Sequence, residues 1–441
     1  MSLPTLDTVQ KLRTALHAKA KGNSNFRFYS LYDKVYRKDV LWIAFRRCLI
    51  NGGVPGVDGQ TFEDIKNYGV SEWLGELVEE LRTKTYQPQP VRRVYIPKPD
   101  GKQRPLGIPT IRDRVVQTAL LIVLEPIFEA DLQSEQHAYR PDRNALDAVQ
   151  EVHGLLNAGH REVVDADLSG YFDSIPHAEL MQCIARRVSD KAVLHLLKMW
   201  LVAPAEEKDR RGHVYRTTRN KDDGRGSPQG APISPLLANL YMRRFVLGWK
   251  TLGYEQKLQA RIVNYADDFV ICCRGSAQQA ALAMRSMMQR LKLTVNEQKT
   301  KLCRVPDETF DFLGYTFGRC YSPQTGRAYL GTRPAKKKVR KLCESIGELT
   351  NRKHLWLDEE EMVVRLNRRL VGWANYFRLG PVSKAYRAVD HHVTSRLRQW
   401  LCAKHKVSTT GTTRFPDTYL YDDLGLVRLP SLTRRLPWAK A

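Results

Sequence analysis

Two adjacent aspartates, Asp267 and Asp268, interrupt the apolar runs of Arg261-Ile262-Val263-Asn264-Tyr265-Ala266-Asp267-Asp268-Phe269-Val270-Ile271-Cys272-Cys273. Two β-prone runs around a short polar break read as a hairpin with both carboxylates at its tip. Neighbouring like charges repel, and in surroundings this apolar they are costly to bury unless a cation neutralises them. Mg2+ meets that need, because it takes one or two carboxylates and leaves its other positions to water and substrate phosphate. A plain polar turn is the other reading, since Asp favours turns. A second acidic pattern lies upstream in Glu162-Val163-Val164-Asp165-Ala166-Asp167-Leu168. Strand alternation puts Asp165 and Asp167 on one face and Val164, Ala166 and Leu168 on the other. Such an acidic face is either wet or metal-bound, and Asp167 meets the hairpin tip if the two strands are neighbours in one sheet.

Other residues suggest a phosphate-bearing substrate. Val91 to Pro109 reads VRRVYIPKPDGKQRPLGIP: a strand, a turn at Asp100-Gly101 and a returning strand. Lys98 and Arg104 project from this ribbon and could hold a triphosphate, Arg by its planar fork and Lys as a point charge, or could be ordinary solvated surface. Phe172, five residues past Asp167, either lies beside the sugar of a bound nucleotide or packs in the core. In Ser227-Pro228-Gln229-Gly230 the turn can set a backbone and the Gln229 amide against a ligand, and Ser234 as N-cap with Pro235 at the first helical position starts a helix.

The remaining chain supplies elements to hold these groups. Residues 1 to about 48 read as basic helix, with Tyr29, Tyr32, Tyr36, Trp42 and Phe45 spaced so that several share a face. The glycine-rich stretch 51–59 breaks it, and helical periodicity returns over 61–84. A long apolar helix over 111–129 is expected to break at Pro126. A basic loop over 137–144, a helix over 145–157 and a helix pair over 177–202 follow. The charged insert 204–226 reads as a surface excursion. A helix is expected over 277–293 and a strand pair over 310–317. From residue 319 onward there are 25 Lys plus Arg against 10 Asp plus Glu, including Lys336-Lys337-Lys338 and the aromatic cluster 372–378 that ends at Arg378. This is a basic helical region biased toward phosphate, although any single residue could equally belong to a solvated face.

Composition sets the limits. A chain of 441 residues should be multidomain. With 71 Lys plus Arg against 47 Asp plus Glu, its formal charge of +24 suits a protein that holds a polyanion by neutralising phosphates. A merely basic soluble protein, or one adsorbing to anionic membrane, is the alternative. No apolar run approaches the roughly 20 residues of a membrane helix and no signal peptide is recognisable, so a cytoplasmic protein without membrane partners is expected. Eight scattered cysteines with no C-x-x-C pair argue against a zinc module and against a disulfide framework, leaving core thiols.

The ordered blocks IPKPDGKQRPLGIPT, AYRPDRNALDAV, VVDADLSGYFDSI, SPQGAPISPLLANLYM, YADD, LTVNEQKTK and FDFLGYTF, followed by GWANYFRLG, resemble the group II intron-encoded reverse transcriptases, or maturases. The resemblance covers about residues 36 to 400. It implies an α+β right-hand polymerase, with an N-terminal extension and start of the fingers in 1–90, fingers and palm in 91–330, a helical thumb or maturase region in 331–400 and a basic tail in 401–441. On matching positions, Asp167, Asp267 and Asp268 are implied as catalytic metal ligands for two Mg2+ ions, with Mn2+ as a substitute. Lys98 and Arg104 are implied to contact the triphosphate, Phe172 to be the gate against a 2′-hydroxyl, and Gln229 to lie beside the incoming nucleotide. Lys336, Lys337, Lys338 and Arg378 are expected nucleic-acid contacts. The implied activity is RNA-directed DNA synthesis on a DNA primer with dNTPs, together with binding of intron RNA that assists splicing and mobility, in the bacterial cytoplasm near the nucleoid. A free-standing enzyme of DNA repair or phage defence, and a splicing-only RNA-binding maturase, are the alternatives. Ala231 in place of a second glycine, Ser169-Gly170-Tyr171 and the long 204–226 insert depart from the common pattern and leave the intron subclass open. No paired cysteines or HNH-like spacing follow residue 400, so no endonuclease domain is expected.

Overall fold

The structure is a computed structural model describing residues 3–97, 101, 103–209, 211–322 and 324–432. Lys98 lies outside the described residues, as does Asp100 of the expected turn. The strands are β1 (Val91–Pro97), β2 (Gln103–Ile108), β3 (Glu162–Asp167), β4 (Ala205–Lys208), β5 (Val214–Thr217), β6 (Ala260–Tyr265), β7 (Asp268–Cys273), β8 (Lys301–Arg304), β9 (Phe310–Phe312), β10 (Tyr315–Tyr321) and β11 (Ala328–Pro334). They form three sheets, largely antiparallel, among many helices, so the architecture is mixed α+β.

The sheet β6-β7-β3-β8 is antiparallel throughout and covered on both faces. Val164, Ala166, Phe269 and Ile271 enter a large core shared with the helices Ile111–Glu129, Ser234–Thr251 and Ala277–Arg290. Val163, Val270 and Cys272 point the other way, into a core with the helix Ala145–Asn157 and with Phe310, Tyr315 and Phe317. Double-sided burial is why β6 and β7 read as nearly unbroken apolar runs. Truncation of Ile271 or Phe269 to alanine here would cost about 2–5 kcal/mol.

The charged insert 204–226 is more than a surface excursion. Its β4 and β5 extend the first hairpin into a four-stranded sheet, β2-β1-β4-β5, in which β4 runs parallel to β1. Polar composition disguised these strands, whose side chains are held by polar contacts across the sheet: Glu207 Oε2 accepts from the hydroxyls of Tyr95 and Tyr215 at 3.0 and 2.8 Å. The expected break at Pro126 does not occur, and the helix runs from Ile111 to Glu129. Proline in the last turn forfeits one backbone bond, and burial of Leu124, Ile127 and Phe128 outweighs it. Ser234 is the first residue of its helix, not its N-cap, because its Oγ accepts from Ser227 Oγ at 2.7 Å and holds the preceding turn instead. The N-terminal aromatics divide: Phe45 is buried while Tyr29 is 74% exposed.

Beyond β11, the helices Lys336–Leu349, Glu359–Tyr376 and Ser383–Lys404 share their own apolar core. The aromatic cluster 372–378 bolts that unit to the β9-β10-β11 sheet. Tyr376 donates to the Leu313 carbonyl at 2.7 Å, and the Phe377 and Tyr376 rings lie 5.2 and 5.9 Å from the Tyr315 ring. Among the described residues no helix is long and apolar enough to cross a membrane. The cysteines are free thiols, buried or partly buried.

Asp113, 2% exposed, caps the Ile111–Glu129 helix with Thr110 and accepts from the Tyr86 hydroxyl. Burial pushes its carboxyl up to about 6. The folded value exceeds the unfolded one, so the fold holds this proton more tightly. The stabilisation is therefore complete below about pH 4 and lost as pH rises through about 6, by up to about 3 kcal/mol. Asp113→Asn should flatten that segment of the stability curve, measured by urea unfolding at pH 4 to 8. An unchanged slope would remove Asp113 as its source.

Candidate active site

The cross-strand register brings the acidic residues together. Asp167, the last residue of β3, stands directly opposite Asp268, the first residue of β7. Partners in an antiparallel pair share a face with Cβ atoms about 4.5–5.5 Å apart, so these two carboxylates are neighbours across the sheet. Asp267 precedes Asp268 in the two-residue turn between β6 and β7, and Asp165 is on the same face as Asp167, two residues back along β3. Asp165, Asp167 and Asp268 line a cleft of about 860 Å3 whose lining also includes Asp311, Lys337 and Lys338.

The electrostatics are those of crowded acids. Burial, then Asp267 and Asp167, push Asp268 up to about 6. Burial, then Asp268, push Asp165 up to about 7. Asp267 is raised by burial and again by Asp167, while Arg104 and Lys299 oppose the shift. Lys299 Nζ lies 2.7 Å from Asp167 Oδ2, and Lys337 Nζ 3.0 Å from Asp311. Among the described residues no three His, Cys, Asp or Glu side chains form a ready-made metal cage.

The hairpin tip is strained and braced. Ala266 has φ of +59°, a conformation that costs a residue with a Cβ roughly 1–2 kcal/mol. Asn264, fully buried, holds it: its Nδ2 donates to the Ala266 carbonyl at 2.8 Å. The Asn264 backbone bonds to Glu135 and His137 at 2.8 and 3.0 Å, fixing the tip to the loop that precedes Tyr139. The Tyr139 phenol is in turn raised by burial and by Asp267. Lys299 and Tyr139 had no sequence signal beyond their neighbourhood, since each acts through a contact distant in the chain, and the same holds for the backbone bonds of Asn264 to Glu135 and His137.

Arg104 is electrostatically coupled to Asp267, which brings the β2 cation to the carboxylates. Phe172 is partly buried, with its ring 6.5 Å from Tyr139 and 5.9 Å from Tyr171. Gln229 adjoins it, with Nε2 3.4 Å from Asp173 Oδ2 and the Ser227 amide donating to the Phe172 carbonyl at 2.8 Å. The Gln229 carbonyl accepts from the Gly107 amide at 2.7 Å, so this turn is stitched to the strand carrying Arg104. Gly230 allows the approach: its φ is +112° and a Cβ there would lie 3.0 Å from the Gly107 carbonyl oxygen. Lys337 and Lys338 line the carboxylate cleft, whereas exposed Lys336 and Arg378 are not in its lining.

An antiparallel sheet that pairs the Asp165-Ala166-Asp167 strand with the Tyr265-Ala266-Asp267-Asp268 hairpin, beside a basic ribbon, is consistent with the reverse transcriptase class. Residues 96–317 match the family described as reverse transcriptase (RNA-dependent DNA polymerase), and residues 339–415 match the group II intron maturase-specific domain. The chain belongs to the group II intron-encoded reverse transcriptase and maturase family. It is similar to protein YkfC of Escherichia coli (strain K12), 32% identical over 370 residues, covering 75% of this chain and 93% of that protein. It is 28% identical over 352 residues to the group II intron-encoded protein LtrA of Lactococcus lactis subsp. cremoris, covering 65% of this chain and 56% of LtrA. A 91 kDa protein in the cob intron of Schizosaccharomyces pombe is 25% identical over 419 residues, and this chain spans 50% of its length.

Proposed function

We propose that the chain is an RNA-directed DNA polymerase that extends a DNA primer on an RNA template and also binds group II intron RNA to assist splicing and mobility. The observation that carries this reading is the register pairing of Asp167 with Asp268, with Asp267 in the adjoining turn. In this reading 1–90 is the N-terminal extension and start of the fingers, 91–330 completes fingers and palm, 331–400 is the thumb or maturase region, and 401–441 is a basic tail.

Asp167, Asp267 and Asp268 would hold Mg2+, or Mn2+ in its place. The donor set fits, because Asp267 and Asp268 are pushed up by desolvation and by neighbouring carboxylates, and crowded oxygen ligands of this kind gain most from a hard cation. The bound metal would lower the pKa of the primer 3′-hydroxyl and neutralise triphosphate charge during an in-line displacement. Arg104 supplies a planar fork to the triphosphate, and its link through Gly107 to Gln229 keeps the β2 ribbon and the Pro-Gln-Gly turn in register with each other. Phe172 presents its ring edge where the sugar 2′ position would lie. Asn264 sets the backbone from which Asp267 projects. Incorporation of labelled dNTP onto a DNA primer annealed to a homopolymer RNA template tests the reading, and no incorporation would overturn it.

The basic helical region carries the RNA-binding half. Replacing Lys336, Lys337 and Lys338 by Gln should lower the slope of log affinity against log salt by about 0.7–0.9 for each lost phosphate contact. Lys337 and Lys338 line the carboxylate cleft, so the loss should be larger for a template–primer duplex than for RNA alone. Equal slopes in mutant and wild type would leave these lysines to solvent.

A further inference from the structure

A second groove, of about 620 Å3, lies between the helix His177–Ala185 and the helix Ser234–Thr251 and shares no lining residue with the carboxylate cleft. Four guanidiniums converge on it, Arg186, Arg187, Arg243 and Arg244, against the carboxylates of Asp131 and Glu179. Glu179 is already paired with Lys292. Arg187 is built into the wall: its side chain is 4% exposed, pairs with Asp131 at 3.0 Å and donates to the carbonyls of Ala20, Asn23 and Ser24. Arg243 donates to the Asp131 carbonyl at 2.6 Å, and Arg244 lies over the Tyr241 ring at 5.4 Å, so both guanidiniums are oriented before any ligand arrives. Among the described residues none of Arg186, Arg243 and Arg244 has a carboxylate within ion-pair distance. Burial first, and then the neighbouring Arg186 against the opposing pull of Asp131, push the Arg243 guanidinium below its ordinary value. Crowded, half-desolvated cations with spare donors are the converse of the carboxylate cleft, and an anion relieves them.

We propose that this groove binds phosphates of an RNA strand held outside the carboxylate cleft, an inference that rests on reading the chain as an RNA-binding protein. A strand suits it better than a single small anion because the basic surface continues past the groove on two sides. Arg27 adjoins it through a bond from its Nε to the Ala185 carbonyl, and Lys292 adjoins it through Glu179. Ser24 and Asn25 add neutral donors at the rim.

The test measures affinity for a labelled stem-loop RNA while excess unlabelled template–primer duplex fills the cleft. Arg186→Glu alters an exposed side chain, and Arg243→Gln with Arg244→Gln keeps polar atoms at both positions. Each should weaken RNA binding on the order of tenfold and lower the salt slope by about 0.7–0.9 per lost contact, while extension of a short template–primer is unchanged. Unchanged affinity and slope in both variants would overturn the proposal and leave the groove to an acidic protein surface. If the wild-type chain extends no primer but Arg186→Glu still loses RNA affinity, the polymerase reading fails and the groove stands.

Discussion

Asp267→Ala combined with Asp268→Ala should reduce primer extension on the order of a thousandfold or more, because the metal-borne stabilisation of the transferring phosphoryl group amounts to several kcal/mol. The same double variant should unfold no more easily than wild type in metal-free buffer. Asp268 is pushed up to about 6 by burial and by its acidic neighbours, so at neutral pH its ionised form is a burden to the fold. That pairing of results separates loss of chemistry from loss of structure. A variant that keeps wild-type extension removes the assignment. A variant that loses both activity and stability points instead to the braced turn at Ala266.

Phe172→Ala carries the second large effect. Its ring is held edge-on by Tyr139 and Tyr171 and lies beside the turn bearing Gln229. Removing the ring opens space where a 2′-hydroxyl would otherwise collide. A steric term of about 1–3 kcal/mol corresponds to roughly tenfold to two-hundredfold in selectivity. The ratio of kcat/KM for dNTP over the matching ribonucleotide should fall by that factor, with dNTP incorporation itself little changed. Selectivity equal to wild type would return Phe172 to a packing role.

The central sheet was legible because its periodicity is local: alternation in 162–168 and the paired runs around Ala266 state which side chains share a face. The sequence left the adjacency of β3 and β7 as a condition, and the register Asp167 to Asp268 meets it. What was illegible depended on contacts between distant segments. β8 hides in a basic run and is held by β3, while β4 and β5 hide in a charged insert and are held by β1. Asn264 reads as one polar residue in a strand until its backbone is seen bonded to Glu135 and His137. The arginine groove draws on segments near residues 24, 131, 186 and 244, which no window of sequence joins. Pro126 and Ser234 misled for the opposite reason, since local rules for helix breaking and capping yielded to burial and to the Ser227 hydroxyl.

The carboxylates' shared purpose is tested most directly by electron paramagnetic resonance of Mn2+ titrated into the protein with template–primer and a nonreactive dNTP analogue. The wild-type chain should remove the free-ion signal at stoichiometric Mn2+, and the variant with Asp167, Asp267 and Asp268 all replaced by Ala should leave it intact. Equal loss of signal from both proteins would mean that the three aspartates, though gathered at one end of the sheet, are not where the metal binds.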